Sequence, residues 1–165
     1  MVRIEELTLI EAPIERCFDL ARSVEAHLAG AADSGEQVVA NGGISAGLIG
    51  LGERVTWRAK HLGVWHELTS EITAMERPAW FRDVMIRGPF KSMAHDHFFR
   101  ATGEGSSELR DVFEFAAPVP VLGRLAEKLV LERHMRSFLR KKNAILKRIA
   151  ESAEWRKYLE NAARP

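Results

Sequence analysis

The sequence predicts an α+β fold: one antiparallel β-sheet packed against a long C-terminal helix, with two short helices after the first strand. Three observations carry this. From Glu53 to Ala116 apolar and polar residues alternate with period two, interrupted at turns rich in glycine and proline. From Val121 to about Ala153 proline is absent, and Leu131, Met135, Phe138, Lys142, Ile145 and Ile149 recur at four-three spacing on one helical face. Pro13 and Ser23 each sit where a short helix begins. The 165 residues are expected to form a single domain, long enough for a full core.

In chain order, Ile4 to Ile10 is a β-branched and apolar run and reads as the first strand. Pro13 opens a helix from Ile14 to Ala21, in which Ile14, Phe18 and Ala21 share a face. Ser23 caps a second helix reaching Leu28, with Glu25 favourable in its first turn. Gln37 to Ala40 starts another strand. The stretch from Asn41 to Gly52 then places five glycines beside Ile44, Leu48, Ile49 and Leu51. A strand follows it instead of a helix, so it is not a phosphate-cradling loop; an apolar flap at a cavity mouth fits better. Val55, Trp57, Ala59 and His61 form one face of the next strand, and His66, Leu68, Ser70 and Ile72 one face of its hairpin partner. Trp80 to Arg87, Met93 to Ala101 and Glu108 to Ala116 supply three more, separated by Gly88-Pro89 and by Gly103 to Gly105. In the C-terminal helix Leu122, Leu125 and Leu129 lie off the main stripe, which predicts a kink near Val130 or a different surface for the first turns. Residues 152–165 form a charged tail that continues the helix or frays.

Composition narrows the function. Lysine plus arginine, 24, nearly equals aspartate plus glutamate, 23, so nucleic acid is not an expected partner. The single cysteine, Cys17, excludes an internal disulfide and a cysteine metal cluster. No stretch is long and apolar enough to span a bilayer and no signal segment opens the chain, so the expected setting is cytoplasmic. Oligomeric state stays open at this level.

The last three strands hold the one constellation with chemical potential. If the Gly88-Pro89 hairpin pairs Met85 with His95, then Asp83 faces His97 and Phe81 faces Phe99. If the next turn pairs Phe99 with Leu109, then His97 faces Asp111 and His95 faces Phe113. Directly paired residues share a sheet face with Cβ atoms ~5 Å apart, so Asp83, His97 and Asp111 would form a polar row on an otherwise apolar face. Three readings fit it. One is a satisfied polar network. Another is a ligand-orienting or acid/base site centred on His97, with the carboxylates setting its tautomer. The third is a metal site built on His95 and His97 with Asp83 or Asp111. No cofactor or resident metal is expected, for want of a further ligand nearby.

The order of elements, with Gly47-Leu48-Ile49-Gly50, Val55-Thr56-Trp57, His61-Leu62-Gly63, Phe81-Arg82-Asp83, Arg87-Gly88-Pro89-Phe90, His95-Asp96-His97-Phe98 and Pro120-Val121-Leu122-Gly123, resembles the START-like, polyketide cyclase/dehydrase-like superfamily (SRPBCC proteins). The resemblance covers nearly the whole chain. It implies a helix-grip fold, a curved antiparallel sheet wrapped around the C-terminal helix, enclosing a large apolar cavity. It implies no catalytic set, because no pattern here matches one. The expected cavity residues are Trp57, His66, Leu68, Phe81, Asp83, Met85, His95, His97, Phe99, Asp111, Phe113, Phe115, Met135 and Phe138. Leu48, Ile49, Leu51, Leu122, Leu125 and Leu129 are expected to gate its mouth. The expected function is carriage or sensing of a small hydrophobic or aromatic molecule or lipid. A cyclase/dehydratase-type enzyme using His97 with Asp83 or Asp111 is the alternative. A module whose basic helix docks on a membrane or protein is a further one.

Overall fold

In the computed structural model, residues 1–32, 35–39, 43–61, 63–116 and 125–160 are described, with side chains of the C-terminal helix from Leu129 onward. The elements run β1 (Val2–Ile10), α1 (Ile14–Ala21), α2 (Val24–Gly30), β2 (Gln37–Val38), β3 (Arg54–His61), β4 (Val64–Glu76), β5 (Trp80–Arg87), β6 (Ser92–Gly103), β7 (Ser106–Ala116), α3 (Leu125–Glu151) and α4 (Trp155–Leu159). The strands form one curved, fully antiparallel sheet in the order β1-β7-β6-β5-β4-β3-β2. Strands β2 to β7 are a meander, and β1 joins its end by pairing with β7 along nine residues. This is the helix-grip architecture.

Local chemistry explains the boundaries. The Ser23 hydroxyl accepts from Ala26 N and caps α2, while Gly63 and Gly105 take φ of 83° and 74° in the β3–β4 and β6–β7 turns. The register of β4 against β5 shifts between Thr69 and Ser70 and between Ile72 and Ala74. Such bulges bend a strand and help a sheet curl.

The β6–β7 register pairs Phe99 with Leu109, His97 with Asp111 and His95 with Phe113, as the short Gly103–Gly105 turn implied. The β5–β6 register differs from the sequence reading by two residues: Asp83 faces His95 and Phe81 faces His97. Pairing with β6 stops at Val84–Ala94, so the connection runs from Met85 to Met93, longer than the Gly88-Pro89 turn alone, and the tight-turn register does not hold. A two-residue shift preserves face parity, so the row still points inward.

Two apolar clusters meet on the concave face. Under α1, Phe18 makes edge contacts with Phe81 and Phe99 at centroid distances of 5.5 and 5.4 Å. Around β1 and β7, Ile4, Phe113 and Phe115 pack with Met135 and Leu139 of α3. Helix α3 is continuous from Leu125 to Glu151, and its first described side chains, Leu129 and Val130, are exposed. Met135 and Ile149 are buried against the sheet layer, with Phe138 and Ile145 partly buried beside them. The residues after α3 form α4, whose Trp155, Tyr158 and Leu159 fold back onto the first cluster. Arg16 stacks over Trp155. Residues Trp155–Leu159 therefore turn back onto the core, where the sequence suggested extension or fraying.

Several of helix α3's basic residues are tied to the protein itself. Arg136 and Arg140 bond Glu6, Lys147 bonds Glu151 and Leu9 O, and Arg148 bonds Glu154. This weakens the case for a docking helix.

Phe18→Ala empties the centre of the aromatic cluster and is expected to cost about 3–5 kcal/mol in denaturant unfolding. Leu129→Ala, on the exposed start of α3, should stay within about 0.5 kcal/mol of the parent. Equal losses would mean that Phe18 is not the core residue its contacts make it.

Candidate functional site

Between the concave sheet and α3 lies a cavity of about 460 Å³. Its walls are mainly apolar, from Leu20, Ile72, Phe81, Met93, Leu139 and Leu146 among others. Trp57, His66, Leu68, Phe81, Asp83, His95, His97, Phe113, Met135 and Phe138 all stand on the wall. Four expected residues do not. Phe99 is taken up by Phe18 under α1, and Phe115 lies beneath Phe90 in the second cluster. Met85 packs at the β5 end of that cluster, against the Gly88 backbone. Asp111 sits behind the wall, 1% exposed, covered by His95, His97 and Asn143.

The polar row is a compact cluster built across β5, β6, β7 and α3. Asp111 Oδ1 lies 3.1 Å from His95 Nε2 and 2.7 Å from His97 Nδ1, and Asn143 Nδ2 donates to Oδ2 at 2.6 Å. On the cavity side, Asp83 Oδ2 lies 3.2 Å from His97 Nε2 and 3.9 Å from His95 Nδ1. His97 thus has a carboxylate at each ring nitrogen, and both accept only if the imidazole carries two N–H groups. Burial works against that charge, but Asp111 and Asp83 outweigh it and push the pKa up to about 9. His95 goes the other way: burial and the neighbouring His97 charge hold it below its ordinary value, hence neutral. Its proton belongs on Nε2, facing Asp111, which leaves Nδ1 bare. Burial opposes the ionisation of both carboxylates. At Asp111 the charge of His97 does most to overcome it, and at Asp83 the hydrogen bond from His97 does, so both are held below the usual range.

A second polar group was not legible as a site. Lys142 was visible only as a member of the α3 stripe, yet its ammonium enters the cavity wall where α3 crosses α2 at Gly30. It stands 2.8 Å from both ring nitrogens of His27. The two in-plane lone pairs diverge, so the ammonium lies over the ring face. Trp57 stacks on His27 at 3.8 Å, leaving the imidazole sandwiched. His27 Nε2 donates to Glu36 Oε1 at 3.2 Å. Burial opposes the Glu36 charge, but His27 and Lys142 take its pKa down to about 2. Lys142 itself is pushed down by burial, against the pull of Glu36, Asp83 and Asp111. Glu36 Oε2 is buried with no hydrogen-bond partner among the described residues. A lysine inside an apolar stripe was the one signal for this group.

The expected gate differs in its details. Ile49 lines the cavity, but Leu48 bridges to Ser23 and Leu51 is exposed. Gly47 O accepts from Val24 N, Ile49 N donates to Arg22 O, and Glu25 accepts from Gly47 N. These bonds pin the segment to the start of α2, so it is not a free flap. Leu129 is exposed and off the wall, while Leu122 and the side chain of Leu125 lie outside what is described.

No protein-family model and no curated protein matches the sequence. Solved structures do match in fold. The Zhui aromatase/cyclase from Streptomyces sp. R1128 superposes with a TM-score of 0.73 at 12% identity, over 91% of this chain and 93% of that one. A START superfamily protein from Mycobacterium smegmatis gives 0.66 at 12% identity over 90% and 97%. Major latex-like protein 151 from Panax ginseng gives 0.64 at 14% over 92% and 98%. The chain shares the helix-grip fold of these structures. No helix among the described residues is long and apolar enough to cross a membrane.

The raised pKa of His97 has a consequence for stability. The folded state binds the proton more tightly than the unfolded chain, whose value is near the ordinary 6.5. The contribution, up to roughly 3 kcal/mol, is present below pH ~6.5 and lost as pH rises through ~9. Denaturant midpoints across this window should fall for the parent and fall less for His97→Gln. Parallel curves would show that His97 is not held as an imidazolium.

Proposed function

We propose that this protein binds a small, largely apolar molecule, aromatic or lipid-like, that carries hydroxyl or carbonyl oxygens on one side. It would act as a carrier or sensor. The observation that supports this most directly is an apolar cavity of about 460 Å³ into which two buried polar groups converge. That volume is in the usual range for small-molecule sites, which pair apolar walls with a few placed polar atoms. The Lys142 ammonium on the cavity wall is a donor for a ligand oxygen, while both N–H groups of His97 are taken by Asp111 and Asp83. Glu36 Oε2, buried and unpartnered, calls for a donor such as a hydroxyl. The START-like fold supports the same reading.

A cyclase/dehydratase-type enzyme is the second reading, and its support is an imidazolium on the cavity wall beside Asp83. In that case His97→Gln would retain ligand while turnover falls by about two to four orders of magnitude.

Native mass spectrometry of the purified protein, with organic extraction, tests for a retained occupant. With emptied protein, calorimetry should show 2-naphthol binding about tenfold more tightly than naphthalene, the worth of one good hydrogen bond. Glu36→Gln combined with Lys142→Met should erase that preference. Ala59→Phe, which projects a ring into the cavity, should abolish binding of both. Tight binding that survives Ala59→Phe would place the ligand elsewhere and end the proposal.

A further inference from the structure

We infer that Asp83, His95 and His97 form a binding site for a first-row divalent metal ion, with open coordination positions facing the cavity. This goes beyond ligand carriage and contradicts the expectation, drawn from sequence, that no metal is held. That expectation rested on the want of a further His or Cys beside His95, His97 and one carboxylate. The register singles out Asp83 as that carboxylate, directly opposite His95 and within reach of His97, and three protein ligands suffice for an open site.

The donor atoms are Asp83 Oδ2, His95 Nδ1 and His97 Nε2, and all three lie within 4.8 Å of one another. Asp83 Oδ2 is 3.2 Å from His97 Nε2 and 3.9 Å from His95 Nδ1. Ligands about 2.0–2.2 Å from a tetrahedral ion stand roughly 3.3–3.6 Å apart, so binding needs small side-chain movements and release of the His97 Nε2 proton to solvent. The second ring nitrogens matter as much. His95 Nε2 and His97 Nδ1 both meet one oxygen, Asp111 Oδ1, at 3.1 and 2.7 Å. Asn143 fixes the other Asp111 oxygen. Metal-bound imidazoles characteristically donate their remaining N–H to a carboxylate, which sets tautomer and ring orientation. Here one buried carboxylate serves both rings. Two imidazoles and a carboxylate favour borderline ions such as Zn²⁺ or Fe²⁺ over Mg²⁺ or Ca²⁺, which prefer oxygen donors throughout. Three protein ligands leave positions for water or for an oxygen of the cavity ligand.

The test uses the ion alone, so its outcome is independent of any organic ligand. Co²⁺ is titrated into chelator-treated protein and followed by visible d–d absorption, with Zn²⁺ as competitor. One ion per chain is expected. Asp111→Asn should weaken binding by about 10–100-fold, and Asp83→Asn or His97→Gln should weaken it further. His134→Gln should bind as the parent does, which separates this site from the His61–His134 contact of 3.1 Å. Because the cluster is buried, a measurement on the unaltered chain guards against variants that misfold. In long-range ¹H–¹⁵N spectra, Zn²⁺ should shift His95 Nδ1 and His97 Nε2 and leave His134 unmoved. No saturable binding, binding indifferent to Asp83→Asn and His97→Gln, or shifts centred on His61 and His134 would overturn the assignment.

Discussion

The Asp111 carboxylate is the point on which the interior depends. It is 1% exposed, at the layer where the sheet meets α3. An ionised carboxylate removed from water is tolerable only when its oxygens are fully partnered. Its partners come from two elements: His95 and His97 on the adjacent strand, and Asn143 on the helix. Satisfying one charge therefore aligns β6 with β7, sets the rotation of α3 over the sheet and orients two imidazoles toward the cavity. Removing it would strand three polar side chains at once, the kind of loss that buried networks make large.

The cavity follows from shape. A seven-stranded sheet bent by bulges in β4 presents a concave face wider than one helix can fill. Core packing is completed at two ends, under α1 by Phe18, Phe81 and Phe99, and near β1 by Ile4, Phe113 and Phe115. The space between is lined by side chains that have apolar neighbours on one side only. Into it come His97 from the sheet and Lys142 from the helix, both cations, with Asp83 and Glu36 close by. Buried charge of this density adds little to stability that an apolar core would not supply. Its placement on a cavity wall is what makes binding the better account.

Much of this was legible in the sequence because period-two alternation reports which face a strand residue occupies. It put His95, His97, Asp83 and Phe113 on the inner face correctly, even where the β5–β6 register was off by two, since that shift keeps parity. Alternation says nothing about depth along a strand. Phe99 and Phe115 point inward yet lie under α1 and Phe90, away from the open space. The β5–β6 register differed because the connection from Met85 to Met93 is longer than a tight Gly88-Pro89 turn, and a turn signal does not report where pairing stops. Glu36, His27 and Lys142 meet only through the packing of α2 on α3, and no local pattern marks them beyond a lysine in an apolar stripe. The short turn at Gly103–Gly105 left little freedom, and there the register was read correctly.

The central claim is that the interior space, and no surface, receives the ligand. Methyl NMR of the protein with and without saturating 2-naphthol tests it most directly. The account predicts shifts concentrated at Met93, Met135, Leu139 and Leu146, which line the cavity. Shifts confined to the exposed Leu7 and Leu9, with the interior methyls unmoved, would contradict it.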